Sequence, residues 1–224
     1  MKRWKYLVFA VWICCLLIVG GNRENAIAKS LFLAQFNASQ WTEVPVASKT
    51  NKSRPIDLDF NYATTNNFVN TKLYPCPRCF LRNDVAAAIQ TAHQQLQQQG
   101  YGGLRMFDCY RPQPTQQKMW AIKPDVRYVA NPAKGSDHNR GIAVDLTILD
   151  RNGNPLDMGT VFDEFSPKSH HTYQELSSEV LNNRSLLKQT MVSVGLHHID
   201  TEWWHYAWNG KKPPMGKWVW DCVK

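Results

Sequence analysis

Two short segments limit what this chain can fold into more than anything else in it. They are Ser136-Asp-His-Asn-Arg-Gly-Ile-Ala-Val-Asp145 and, some sixty residues on, Glu202-Trp-Trp-His205. Together they carry two histidines and an aspartate, residue types that bind metal ions, and a glutamate three residues before the last histidine. If His138, Asp145 and His205 share one ion, the two segments must meet inside a single domain. Gly141-Ile-Ala-Val-Asp-Leu-Thr-Ile148 is rich in β-branched residues and bounded by turn formers, so it reads as a buried central strand carrying Asp145. His138 then lies in the loop feeding that strand, with Gly141 able to take a positive φ between them. Glu202 and His205 fall on opposite faces of an extended backbone and on one face of a helical turn.

Three protein donors with a fourth position left to water are the arrangement of a catalytic zinc, whereas structural zinc is usually closed by four. Glu202 supplies the general base that such a site needs. Taken singly, a His-x6-Asp or a Glu-x-x-His spacing is a weak pattern, and most histidines near aromatics are satisfied polar groups. The surrounding residues raise its weight.

Six blocks in order carry a family resemblance: Asn61-Tyr-Ala-Thr64 with Asn67-Phe68; Asp108-Cys-Tyr-Arg-Pro112; Ser136 to Thr147; Met158-Gly-Thr-Val-Phe-Asp163; Ser169-His-His171; and Glu202-Trp-Trp-His-Tyr206. From about residue 56 onward the chain resembles the D-alanyl-D-alanine dipeptidases of the vancomycin-resistance type, within the zinc D,D-peptidases. The resemblance implies one Zn2+ per chain at His138, Asp145 and His205, with Glu202 as catalytic base. Arg111 matches the arginine that stabilises the oxyanion, a role suited to a permanently charged group with fixed donors. Tyr62 and Asp163 match positions around the substrate's free amino end, and Ser136 matches a serine beside its carboxylate. The implied substrate is D-Ala-D-Ala. The alternatives are a D,D-carboxypeptidase acting on longer muropeptides and a non-catalytic zinc-containing binding module. The presence of both Glu202 and Arg111 counts against the last. His170, His171, His197 and His198 are rival ligands on paper, but the family pattern leaves them structural. Two departures from the pattern are visible, Cys109 in the Tyr-Arg-Pro block and Asp137 before the first ligand; Asp137 adds negative charge beside the site.

The start of the chain reads as an export signal. Lys2, Arg3 and Lys5 precede an apolar run from Tyr6 to Val19, too short for a comfortable span of ~20 residues, and Ala26-Ile-Ala28 offers a small-residue cleavage site. The expected organisation is a signal peptide over 1–28, a polar leader over 29–55 and one domain over 56–224. That predicts a periplasmic or secreted protein with no stable membrane insertion after cleavage; the alternative is an uncleaved anchor. Removing 1–28 lowers the formal net charge from +8 to +5 and leaves no basic run, so nucleic-acid binding has no support. Of six cysteines, Cys76, Cys79, Cys109 and Cys222 remain, an even number that favours disulfides in an exported chain without fixing their pairing. Oligomeric state is not encoded in any pattern here.

Periodicity predicts helices over 84–99 (capped by Asp84 and stopped by Gly100), 112–122 and 183–194, the last stopped by Gly195. Strands are predicted over 104–107, 142–149 and 203–208, with a return after Asn152-Gly153. Helices and strands mix without strict alternation, so the predicted class is α+β, a single domain with an antiparallel central sheet and flanking helices. The tryptophans at 203, 204, 208, 218 and 220 are expected in the core and pocket wall.

Overall fold

The computed structural model of the protein describes residues 40–44 and 54–222. The expected signal peptide, and residues 29–39 and 45–53 of the expected leader, lie outside the described residues. In chain order the elements are β1 (Trp41–Val44), β2 (Asp57–Leu58), β3 (Cys79–Arg82), α1 (Asn83–Gln98), β4 (Gly103–Asp108), α2 (Gln113–Ile122), β5 (Ala143–Leu149), α3 (Ser178–Ser193), β6 (Leu196–Ile199) and β7 (Glu202–Trp208). Single 3-10 turns occur at Asn61–Ala63, His138–Arg140 and Pro167–Ser169. All belong to one compact unit, residues 38–217, and residues 218–222 fall outside it. Among the described residues no helix is long and apolar enough to cross a membrane.

Five strands form the main sheet in the order β2-β4-β5-β7-β6, and β1 pairs with β3 in a smaller antiparallel sheet. The main sheet is antiparallel from β4 to β6, as the sequence predicts; the two-residue β2 adds a parallel edge to β4. All seven residues of β5 are buried, so the strand is covered on both faces. That is why its sequence is a near-continuous apolar run interrupted only by Asp145 and Thr147.

Helix α1 packs on β1, β3, β4 and α3. Val85, Ile89, Ala92 and Leu96, spaced for one helical face, are all buried, and Gly100 at φ +90 ends the helix. Asp84 is not its cap: it sits in the first turn, where its charge opposes the helix dipole, and Arg82 takes the cap position without a side-chain bond. Buried His93 ties α1 to β4, its Nδ1 accepting from the Leu104 N–H at 3.0 Å. Helix α3 starts at Ser178, ahead of the expected 183, because the Ser177 hydroxyl accepts from the Val180 N–H at 3.2 Å and Glu179 fills the first turn. The return after β5 is present, with Gly153 at φ +94 and the Leu156 N–H donating to the Ile148 carbonyl at 2.9 Å. Trp203 and Trp204 are buried.

A disulfide joins Cys79 on β3 to Cys109 just after β4, and Cys76 and Cys222 are disulfide-bonded as well. The Cys79–Cys109 bond closes a span of 30 residues that includes α1. Constraining a loop of that length in the unfolded chain is worth about 2–4 kcal/mol. Cys79→Ala with Cys109→Ala should therefore lower the urea-unfolding free energy by about that amount, and a loss well under 1 kcal/mol would show the bond to be dispensable.

Candidate active site

Strand register assembles the site. Asp145 on β5 lies directly opposite His205 on β7. On its other side the β4–β5 register shifts between Met106 and Asp108, leaving Phe107 over and bringing Asp108 opposite Asp145. Residues opposed in this way share a face, with Cβ atoms about 4.5–5.5 Å apart. His138 comes from the 3-10 turn ahead of β5, which Gly141 closes at φ +70. An added Cβ at Gly141 would collide with the Trp41 ring, so both the dihedral and the contact demand glycine.

The donor atoms of His138, Asp145 and His205 all lie within 4.8 Å of one another. His138 Nε2 is 3.2 Å from His205 Nδ1 and 3.4 Å from an Asp145 oxygen, and His205 Nδ1 is 2.9 Å from the other. Donors bound tetrahedrally to one zinc at 2.0–2.2 Å would stand about 3.3–3.5 Å apart, close to these separations. The His138 Nδ1–H donates to the Cys109 carbonyl at 2.8 Å, which leaves Nε2 as the lone-pair atom aimed inward. Two imidazole nitrogens and a carboxylate converging in this way repel unless a cation or a proton sits among them. Burial alone would raise the Asp145 carboxyl, but the two imidazoles reverse that and hold it below the usual carboxylate range. The residues present thus fit a metal ion.

Arg111 is buried and held from several sides. Its Nε and Nη2 donate to one Asp108 oxygen at 3.0 and 2.6 Å, and Nη1 donates to Gln116 at 3.1 Å. The other Asp108 oxygen accepts from the Tyr74 hydroxyl at 2.6 Å and the Cys109 N–H at 2.9 Å. Burial disfavours the guanidinium charge, and Asp108 more than offsets this, so the group stays cationic. Asn139, fully buried, ties the neighbouring backbones together: its amide donates to the Arg111 carbonyl at 2.7 Å and its oxygen accepts from both the N–H and hydroxyl of Ser136.

A pocket of ≈ 240 Å³ contains Arg111, His138, Glu202 and His205 together with Tyr62, Ser136 and Asp163. Every candidate site residue except Asp145 thus lines it, and Asp145 lies just beneath. Glu202 sits on a strand, yet its Oε2 is 4.0 Å from His205 Nδ1. The β6–β7 register accounts for this: His198 pairs with Tyr206 but Ile199 with Glu202, so residues 203–205 bulge and Glu202 turns toward the site. Burial raises the Glu202 carboxyl above its ordinary value. Asp163, at φ +63, accepts a hydrogen bond from the Tyr62 hydroxyl at 2.8 Å, and burial followed by repulsion from Asp145 pushes its carboxyl well up. A larger groove of ≈ 830 Å³ lies beyond the Phe162–Asp163 wall, and Asp163 is its one residue in common with the site pocket. Asp137 also lines the site pocket, where Lys212 neutralises it at 2.8 Å.

Tyr74, Gln116 and Asn139 were not among the residues the sequence marks as functional. Tyr74 reaches Asp108 across 34 residues and Asn139 reaches Arg111 across 28. Gln116 lies only five residues from Arg111 but on the next helix, in no metal- or base-like spacing. His171 and His198 pack against each other with ring centroids 4.8 Å apart, outside the His138–Asp145–His205 cluster.

Converging metal donors, an adjacent carboxylate and a buried arginine facing one small pocket are the parts of a metallopeptidase centre. The sequence model of the D-ala-D-ala dipeptidase family matches residues 53–217, and the chain belongs to that family. The D-alanyl-D-alanine dipeptidase of Escherichia coli is 36% identical over 151 residues, which cover 67% of this chain and 78% of that one. The D-alanyl-D-alanine dipeptidase of Enterococcus faecalis is 32% identical over 170 residues, covering 66% and 83%. A vancomycin-resistance D,D-pentapeptidase solved in complex with Zn(II) is similar with a TM-score of 0.38 at 16% identity, covering 59% of this chain and 74% of that one.

Burial, then repulsion from His198, Lys188 and Arg184, pushes the His171 imidazole down to about 4. Its unfolded value is about 6.5, so between pH 6.5 and 4 the unfolded chain takes up a proton that the folded one refuses. Stability should fall with acidification through that window, and His171→Gln should flatten part of the fall in a series of thermal melts. An unchanged slope would mean that His171 is not buried as a neutral ring.

Proposed function

We propose that the protein is an exported zinc D-Ala-D-Ala dipeptidase that cleaves the dipeptide to two D-alanines in cell-wall peptide metabolism. The observation that carries this reading is the meeting of His138, Asp145 and His205 donors with Glu202 and Arg111 around one small pocket. His138 Nε2, Asp145 and His205 Nδ1 would hold the ion. Bound there, zinc would supply a Lewis acid and lower the pKa of water toward ~7.

Glu202 takes a proton from the attacking water at its carboxylate as oxygen adds to the peptide carbonyl. Its raised affinity for protons suits it to return that proton to the departing amine as the C–N bond breaks. Arg111, fixed by Asp108 and Gln116, meets the developing oxyanion without having to reorganise. Asp163 and the Tyr62 hydroxyl receive the substrate ammonium; gaining a cation partner returns the raised Asp163 carboxyl to its anion. Ser136 stands toward the substrate's carboxylate end. The pocket volume, below the ~300–1,000 Å³ of sites for drug-sized ligands, favours a dipeptide over a longer muropeptide. Export is supported by the basic and apolar start of the sequence and by the disulfides, which persist in oxidising compartments.

Release of free D-alanine from D-Ala-D-Ala and from its N-acetylated form, compared on the zinc-loaded mature protein, tests the proposal. Loss of the ammonium–Asp163 contact should reduce kcat/KM for the acetylated peptide by at least about tenfold. Equal or faster cleavage of the acetylated form would move the activity to a carboxypeptidase. Cleavage of neither, with zinc bound, would favour a binding module.

A further inference from the structure

The proposed substrate is a zwitterion, and the pocket provides for its two ends unequally. The ammonium end has Asp163. At the carboxylate end Ser136 offers only a neutral hydroxyl, and that hydroxyl already donates to Asn139 at 3.1 Å. Acids line the same pocket at Asp137, Asp163 and Glu202, so an arriving carboxylate needs a cation. The nearby cations are mostly engaged: Arg111 by Asp108 and Gln116, and Lys212 by Asp137. One more basic side chain lines the pocket, Arg127.

Arg127 is held with one edge of its guanidinium in use. Asp125 accepts from the Arg127 N–H at 3.1 Å, from Nε at 2.9 Å and from Nη2 at 2.6 Å, which fixes the side chain locally. The opposite edge, Nη1 with the second Nη2 proton, makes no hydrogen bond among the described residues. That edge is itself a two-pronged donor matched to a carboxylate. The Tyr128 ring lies 5.1 Å from the guanidinium and packs against Phe165 at 4.5 Å; both rings line the pocket. Asp125 therefore orients the guanidinium without consuming it. At 73% exposure the side chain reaches solvent, where a carboxylate can exchange with water at little desolvation cost.

We propose that Arg127 binds the C-terminal carboxylate of the dipeptide through its Nη1/Nη2 edge and so sets the requirement for a free carboxy terminus. The assignment rests on the dipeptidase reading and adds a residue to it. It is a specificity contact, expected in KM more than in kcat, and its exposure limits it to about a tenfold effect.

The test compares D-Ala-D-Ala with its C-terminal amide on the zinc-loaded wild type, Arg127→Ala and Arg127→Lys. The wild type should favour the acid about tenfold in kcat/KM. Arg127→Ala should raise KM for the acid about tenfold with kcat within about twofold, while leaving the amide unaffected, and Arg127→Lys should recover part of the loss. Parallel changes for acid and amide would mean that the Asp125–Tyr128 turn acts only as scaffold, and no change would remove Arg127 from binding; either overturns the assignment. A wild type that cleaves acid and amide equally would overturn it while leaving the dipeptidase reading intact. A zinc-loaded wild type that cleaves neither peptide would overturn both.

Discussion

Asp145 and His205 face each other across β5 and β7, and the rest of the site depends on that register. A slip of one residue between the strands would turn His205 to the far side of the sheet and dismantle the donor set. Several features resist such a slip. β5 is buried along its whole length, so any shift would move apolar side chains out of two covered faces. The register shift after Met106 fixes Asp108 beside Asp145, and the Cys79–Cys109 disulfide anchors the chain just beyond it. The Cys109 carbonyl then orients His138, linking the covalent staple to the imidazole that points into the donor cluster.

Charge balance explains much of the remaining geometry. Asp108 is fully buried but satisfied on both oxygens, by Arg111 on one and by Tyr74 and Cys109 on the other. That carboxylate stabilises the guanidinium and holds its direction at once. The pocket floor is different: Asp145, Glu202 and Asp163 crowd together, and Glu202 and Asp163 are driven toward protonation by burial. Such a site has room for two positive partners, a metal ion among the donors and an ammonium against Asp163. Under the proposed function, the amino terminus of a free dipeptide would be the second.

The sequence was most legible where function and local structure coincide. Asp145 could be placed on a central strand because β5 is an apolar β-branched run, and Gly141 could be given a positive φ because a turn must join His138 to that strand. The α1 face and its glycine stop follow from helical spacing. The approach of Glu202 to His205 was not legible, because an extended segment places them on opposite faces and only the β6–β7 bulge brings them near. Of the groups that fix Arg111, Asp108 stands three residues away in the Asp108-Cys-Tyr-Arg-Pro112 block. The Tyr74 hydroxyl that holds Asp108 in turn was hidden, thirty-four residues off in sequence and met only in three dimensions. The early start of α3 was readable in Ser177 and Glu179, where a local cap outweighs the weak apolar periodicity that follows.

Metal content and turnover measured together on Glu202→Ala and His138→Ala separate holding the ion from using it. If His138 is a ligand and Glu202 the base, Glu202→Ala retains one zinc per chain and loses at least about a hundredfold in kcat, whereas His138→Ala loses the zinc itself. Near-normal turnover in Glu202→Ala, or a full zinc complement in His138→Ala, would contradict the account of this site.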